Sequence, residues 1–323
     1  MAVDTQPAVV TNASVGVPRH HVLIFLGMVA LLLVAPFVLY PVFLMKVLCF
    51  ALFASALNLL LGFGGLLSFG HAAFFGIAAY VSAHAAKVWG LTPELAILLG
   101  TAAAAVLGLL IGVLAIRRQG IYFAMVTLAF AQMVYFFCIQ APFTGGEDGI
   151  QAVPRGHLFG VIDLSRDLTF YFVVLAIVVG GMLLIYRIIH SPFGQVLKAI
   201  RDNEARSTSL GYKVNRYKLA TFVMSASIAG LAGATKALVF QLASLTDVHW
   251  SMSGEVVLMT LLGGMGTIFG PLIGAGVIVT MQNYFAGFGA WVTVLQGVIF
   301  VISVLLFREG IVGVISRWLK KPL

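Results

Sequence analysis

The sequence predicts an all-α, polytopic membrane protein. Only 9% of its 323 residues are charged and 61% are hydrophobic, whereas charged residues make up about 25% of a typical soluble domain. The mean hydropathy is correspondingly high, at +1.07. The apolar residues also fall into long runs, and a helix needs about 20 apolar residues to cross a bilayer. A bundle of transmembrane helices explains both observations, because helices satisfy their own backbone polar groups in lipid.

Ten apolar runs are candidates for these helices. They cover residues 22–40, 42–61, 71–88, 93–116, 121–141, 169–189, 217–243, 250–264, 267–285 and 290–307. The eighth run is short for a span, so eight or nine helices remain alternatives to ten. On this division residues 1–21 form an N-terminal tail, residues 22–308 the transmembrane domain and residues 309–323 a C-terminal tail.

The positions of lysine and arginine predict the orientation, because short loops rich in these residues stay on the cytoplasmic side. Arg19 places the N-terminal tail inside. Counting crossings from there places the acidic loop 142–168 outside and the basic loop 190–216 inside. The basic C-terminal tail is also expected inside, which requires three crossings after residue 243 and favours counting the short eighth run. The net charge of +8 is thus explained by topology and anionic lipid, and no nucleic acid is expected to bind.

The basic loop predicts a helix that lies outside the bilayer. Ser191 is a good N-cap, Pro192 is favourable at the first helical position, and Gly211 is a natural stop. The helix would cover residues 192–210 and extend about 30 Å. We interpret it as a docking surface for a cytoplasmic partner. The alternative is a solvated connector whose charges only set the topology.

Two glycine-rich interruptions separate apolar runs, at residues 62–70 and 263–271. Irregular backbone at membrane depth is tolerated only where it is buried in protein or lines a cavity, and paired interruptions point to a transport pathway. The alternative is that both are tight turns at the membrane surface. The residues predicted near the pathway are Gly64, Gly65, His71, Glu255, Gly263, Gly264, Gly266 and Pro271.

Small residues also recur four positions apart within the predicted helices, as at Gly108 and Gly112 or at Ala226, Gly230 and Ala234. Such faces let helix backbones approach closely in lipid. We interpret most of them as contacts within this subunit, and some could instead face a second membrane subunit.

No catalytic motif supports an enzyme. The sequence lacks the phosphate-binding, dinucleotide-binding, H-E-x-x-H and G-x-S-x-G patterns, and no metal-ligand spacing is present. Cys49 and Cys138 lie within apolar runs and are expected to be buried thiols. No cofactor is expected on this chain.

Ionisable residues within the predicted spans are few. Lys236 and Glu255 could pair near the outer face, or each could reach the headgroup region separately. Glu255 is a functional hypothesis, because a carboxylate inside a membrane is costly. A single carboxylate provides too few ionisable groups for a proton-driven carrier, so the energy for transport is expected to come from a partner.

Several motifs together resemble the LivM family, the permease subunits of branched-chain amino acid ABC importers. They are GHAAFFGIAAY at 70–80, GIYFAMVTLAF at 120–130, TGGEDG at 144–149, SPFG at 191–194, RDNE at 201–204 and LGGMGT at 262–267 with Gly270-Pro271. The resemblance covers about residues 45–310. It implies an inner-membrane subunit that moves hydrophobic amino acids and works with a second, LivH-type permease, two cytoplasmic ATPases that bind ATP and Mg²⁺, and a periplasmic binding protein.

The resemblance also implies a coupling segment for the ATPases. The importer motif Glu-Ala-Ala-x-x-x-Gly is similar to Glu204-Ala205 followed by Gly211, although Arg206 replaces the second alanine and Gly211 stands one residue further on. The residues expected to take part in coupling are Lys198, Arg201, Asp202, Asn203, Glu204, Ala205 and Gly211. Relatives carry urea or amides, so these substrates remain alternatives. Two other functions also remain open: a self-sufficient secondary transporter or channel that depends on Glu255, and a structural membrane subunit.

Overall fold

The computed structural model describes residues 19–160, 162–289, 291–306 and 310–319. Almost all of the regular structure is helical. The helices are α1 (Arg19–Val34), α2 (Pro41–Asn58), α3 (His71–Lys87), α4 (Pro93–Ala115), α5 (Ile121–Gln140), α6 (Asp167–His190), α7 (Pro192–Asp202), α8 (Glu204–Ser209), α9 (Val214–Phe240), α10 (Leu245–Val248), α11 (Trp250–Gly263), α12 (Gly270–Tyr284), α13 (Trp291–Leu306) and α14 (Gly310–Leu319). Four two-residue strands are β1 (Ile150–Gln151), β2 (His157–Leu158), β3 (Ile162–Asp163) and β4 (Leu242–Ala243).

Each of the ten predicted runs contains a helix, and the all-α prediction is confirmed. The ends agree to within a few residues because proline and glycine mark them. Pro41, Pro93, Pro192 and Pro271 lie in the first turns of α2, α4, α7 and α12, where proline's fixed φ suits a helix start. The predicted C-terminal tail contains α14, which packs against α11 and α12. Residues 1–18 of the predicted N-terminal tail lie outside the described residues.

Five of the described helices are long and apolar enough to cross a membrane. They are α2 with the π-helical turn Leu59–Phe63 that extends it, α4, α5, α6 and α9. The other helices among the ten runs, α1, α3, α11, α12 and α13, are 14 to 17 residues long. The chain is thus a multi-pass membrane protein, and the number of ten crossings stays a prediction.

Helices α2 and α9 form the centre of the bundle. In their most apolar windows 83% and 78% of the residues are buried, whereas in α5 only 28% are. Helices α3 and α4 pack against α9 through small residues. A Cβ at Gly108 would lie 2.5 Å from the Ala226 Cβ, and one at Gly230 would meet Ala104. These faces therefore serve packing within the subunit, as predicted.

The loops gather at two ends of the bundle, which we call the outer and inner ends after the predicted orientation. At the outer end, β1 pairs antiparallel with β4, and Lys87 Nζ donates to Gln151 O at 2.7 Å. Arg155 donates to Asp167 Oδ1 at 2.6 Å and to Val239 O at 3.0 Å. These bonds fasten the loop 142–168 to α3, α6 and α9. At the inner end lie α7, α8 and both glycine-rich segments.

Candidate coupling and translocation site

The basic loop contains two helices instead of the single predicted helix. Ser191 Oγ accepts a hydrogen bond from Gly194 N at 3.3 Å, so the predicted N-cap is confirmed. The prediction of one helix over residues 192–210 is wrong, because Asn203 is extended (φ −156°, ψ 101°) and separates α7 from α8. Its side chain accepts from Arg206 N at 2.9 Å and caps α8. Asparagine is among the best N-capping residues, and here this local bond replaces the continuous helix.

Gly211 ends the second helix as predicted. Its φ is +86°, a left-handed conformation that glycine adopts without strain. Open space surrounds the position where its Cβ would lie. Backbone geometry, and not crowding, is therefore what requires glycine here.

Two cationic side chains of α7 are directed toward the inner end of α2. Arg201 Nη1 donates to Gly62 O at 2.6 Å, and the same guanidinium contacts Asp202 Oδ1 at 3.2 Å. Lys198 Nζ lies 5.7 Å from the centre of the Phe63 ring. Burial, and secondarily the charge of Arg201, lower the pKa of Lys198 below its ordinary value. Their predicted role as partner contacts stays a prediction, because Lys198 is half-buried and the Arg201 side chain is 39% exposed. The structure adds that both contact the end of α2.

Asn58 connects the two glycine-rich segments. It lies one turn before Gly62, is 2% exposed, and uses both ends of its amide. Its Nδ2 donates to Thr267 O at 2.7 Å, and its Oδ1 accepts from Gly266 N at 2.9 Å. We call the cluster of Asn58, Gly62, Arg201, Gly266 and Thr267 the inner junction. Sequence reasoning missed Asn58, although it is the one amide in the apolar stretch directly before the first interruption.

The predicted interruptions are real breaks in the helices. Gly65, Gly264 and Gly266 have φ values of +68°, +123° and +74°. A Cβ at Gly263 would overlap the Gly270 carbonyl, and one at Gly62 would lie 2.5 Å from Gly266 N. Gly64 and Pro271 are buried. Most of the irregular backbone is thus buried, although Gly65 and Met265 are exposed. The two segments contact each other, while their place along a pathway stays a prediction.

Glu204 anchors α8 to the bundle. Its carboxylate accepts from Lys218 Nζ at 2.7 Å and from Gln119 Nε2 at 3.0 Å. Lys218 is only 5% exposed, whereas the Glu204 side chain is 33% exposed, so this ion pair is partly shielded from water. Glu204, like Arg201, therefore makes a contact within the bundle while its side chain stays partly exposed.

Lys236 and Glu255 do not pair, so that alternative is wrong. Lys236 Nζ donates to both carboxylate oxygens of Asp247, at 2.7 and 2.6 Å, and both side chains are buried. Glu255 instead accepts from Gln282 Nε2 at 2.9 Å. The reason is that α10 forms within the stretch predicted as a loop after residue 243, and a capping box between Ser244 and Asp247 fixes it.

His71 is completely buried, although it was predicted near the pathway. Its Nε2 is hydrogen-bonded to Ser225 Oγ at 2.8 Å, and Ser225 Oγ donates to Ala56 O. In this conformation His71 joins α3 to α9 and does not face open space. Cys49 and Cys138 are buried free thiols, as predicted.

Comparison with known proteins identifies the family. The profile of the family described as "Branched-chain amino acid transport system / permease component" matches residues 41–304. The chain belongs to this family. It is 28% identical over 288 residues to the high-affinity branched-chain amino acid transport system permease protein LivM of Salmonella typhimurium, covering 82% of this chain and 68% of that protein.

More distant relatives of this permease include two with other names. The probable branched-chain amino acid transport permease protein LivH of Methanocaldococcus jannaschii is 26% identical, over 47% of this chain and 50% of its own length. The ribose import permease protein RbsC of Bacillus subtilis is 29% identical, over 51% of each chain. No solved structure matches the chain.

The permease keeps part of its basic loop exposed. Ala205 and Arg206 on α8 are exposed, and two large apolar side chains follow, Leu210 at 69% and Tyr212 at 41% exposure. Leu210 and Tyr212 were not singled out from the sequence, because an isolated apolar residue in a polar loop has no periodic signal. Exposed apolar side chains on a polar loop are candidate anchors for another protein.

Proposed function

We propose that this permease is a transmembrane subunit of an ATP-driven importer of branched-chain or other hydrophobic amino acids. The observation that carries the proposal is the family match over residues 41–304, together with an inner end that offers a docking segment fastened to irregular backbone. The chain itself would bind neither ATP nor Mg²⁺ and would catalyse no reaction. Urea and amides remain alternative cargoes, and one relative is named for ribose.

The proposed assembly contains a second, LivH-type permease, two cytoplasmic ATPases and a periplasmic binding protein, in the bacterial inner membrane. The names of the LivM and LivH relatives support a pair of permeases. Ala205, Leu210 and Tyr212 would contact an ATPase, with Asn203 and Gly211 shaping that surface, while Lys198, Arg201 and Glu204 connect it to the bundle. Asp202 would hold the guanidinium of Arg201.

The pathway would run beside the glycine-rich segments at the inner end and past Glu255 toward the outer end. Few charged groups are needed to pass apolar amino acids, and a weak membrane site favours release. The soluble binding protein would supply most of the selectivity.

Transport by the reconstituted complex tests this function. We expect labelled leucine to enter proteoliposomes only when the ATPases, the binding protein and ATP are present together. The same assay with the permease alone should give no uptake. Uptake by the chain alone would support the secondary transporter or channel, and no uptake by the full complex with leucine, urea or ribose would contradict the proposal.

The proposed orientation gives a separate prediction. Gln151 is exposed at the outer end, and Lys87 uses only its backbone oxygen. Its side chain makes one exposed hydrogen bond, to Asp148 O at 3.3 Å, so cysteine should be tolerated there. We expect Gln151→Cys to react with a membrane-impermeant thiol reagent in intact cells. Cysteine at Arg206, exposed at the inner end, is the matched control and should react only after permeabilisation. The reverse pattern would invert the topology.

A further inference from the structure

The inner junction joins three parts of the chain that are far apart in sequence. Arg201 comes from the basic loop, Asn58 and Gly62 from the end of α2, and Gly266 and Thr267 from the connection between α11 and α12. The bond between Asn58 and Thr267 spans 209 positions. Each of the two irregular segments is thereby connected to the helix that precedes the proposed ATPase surface.

Arg201 acts as a cap for the end of α2. Carbonyls in the last turn of a helix lose their helical partners, and the helix dipole favours a cation there. The guanidinium supplies both a donor for Gly62 O and a positive charge. The stem of the side chain also lies against Gly65, where a Cβ would approach Arg201 Cγ to 2.9 Å. The contact therefore combines a charge-assisted hydrogen bond with close packing.

The connection between α11 and α12 is braced by the side chain of Thr267, so we expect it to behave as a rigid turn. Thr267 Oγ1 donates to Gly264 O at 2.8 Å and accepts from Gly270 N at 3.1 Å. Asn58 holds this braced turn at two points. A displacement of the last turn of α2 must therefore shift the turn or break both bonds of a buried amide, and leaving such groups unpaired is costly.

We propose that Arg201 and Asn58 form a latch that moves the two glycine-rich segments together. Arg201 fastens α7 to the last turn of α2, and Asn58 fastens that turn to the connection between α11 and α12. When an ATPase displaces α7, both irregular segments are displaced with it. Arg201 and Asn58 are positioning residues that act inside the permease and do not contact the ATPase. This inference rests on the proposed function.

The test compares uptake per ATP hydrolysed in proteoliposomes that contain the complete complex. We expect Arg201→Ala to leave ATPase co-purification unchanged and to lower uptake per ATP by about tenfold, the effect of losing one charge-assisted hydrogen bond. Arg201→Lys keeps the cation and should recover part of the loss. Arg117→Ala is the control, because Arg117 is an exposed arginine at the inner end, outside the proposed ATPase surface. Within the described residues its side chain makes no hydrogen bond or ion pair.

Asn58→Leu removes the second half of the latch and should lower the same ratio. Since Asn58 is buried, the complex must first be shown to assemble, and the exposed Arg201 variants decide the question if it does not. Equal ratios for Arg201→Ala and Arg117→Ala would overturn the proposal, as would a proportional fall of hydrolysis and uptake. If the unaltered complex shows no ATP-driven uptake, the proposed function fails, and the latch fails with it.

Discussion

Replacing Lys236 with alanine is expected to destabilise the permease by about 3–5 kcal/mol. The change would leave the Asp247 carboxylate, whose side chain is 3% exposed, without its cation. A buried carboxylate without a cation has lost its hydration and has no ion pair to compensate for that loss. Since most proteins are stable by only about 5–15 kcal/mol, most of the variant should fail to accumulate in a folded form.

The measurement is the thermal stability and yield of the purified protein, followed by size-exclusion chromatography. Lys213→Ala is the control, because Lys213 is exposed. The double variant Lys236→Met with Asp247→Leu should recover much of the loss, since a buried ion pair can often be replaced by apolar residues of similar size. If the Lys236→Ala protein has the same melting temperature as the Lys213→Ala control, the expected role of the ion pair is contradicted.

The effect should be local to the outer end. Asp247 also accepts hydrogen bonds from Ser244, N and Oγ both at 3.3 Å, and so holds the start of α10. Losing the ion pair should loosen the segment 241–249 before the rest of the bundle. In the fraction of the Lys236→Ala variant that stays folded, the rate of hydrogen exchange should increase first in this segment.

The helices could be placed from the sequence because one physical rule governs them. A span must be long and apolar, and proline or glycine marks most of its ends, so α2, α4 and α6 begin within two residues of the predicted positions. The rule does not apply outside lipid. There the continuity of the predicted helix over 192–210 was decided by one side chain, that of Asn203, which could continue the helix or cap a new one.

The contacts of the candidate site could not be predicted for a different reason. The composition showed two glycine-rich breaks, but not that they contact each other through Asn58. Likewise, the sequence analysis considered only Glu255 as a partner for Lys236, whereas the structure pairs Lys236 with Asp247. Only the folding of α10 against the bundle chooses between them. Sequence reasoning thus identified the kinds of residue involved, whereas the pairings depend on tertiary packing.

Replacing Leu210 with aspartate is expected to abolish binding of the ATPase. Leu210 is 69% exposed on a polar loop, and as a hot spot at the centre of the interface it would contribute about 2 kcal/mol or more. Aspartate would remove that contribution and add the cost of burying a charge. Together these effects should weaken association by roughly 30-fold or more. Ala205→Asp, on the exposed face of α8, should have a similar but smaller effect.

The assay is co-purification of the ATPase with the tagged permease, followed by titration of purified ATPase onto the permease in nanodiscs. Phe159→Asp is the matched control, because Phe159 is an equally exposed apolar residue, at 74%, in the outer loop. We expect the Phe159 variant to bind ATPase normally. Leu210 does not pack against the bundle, so its variant should fold and melt like the unaltered protein. If that well-folded variant still binds the ATPase at full affinity, the docking surface lies elsewhere, and the basic loop returns to the role of a solvated connector.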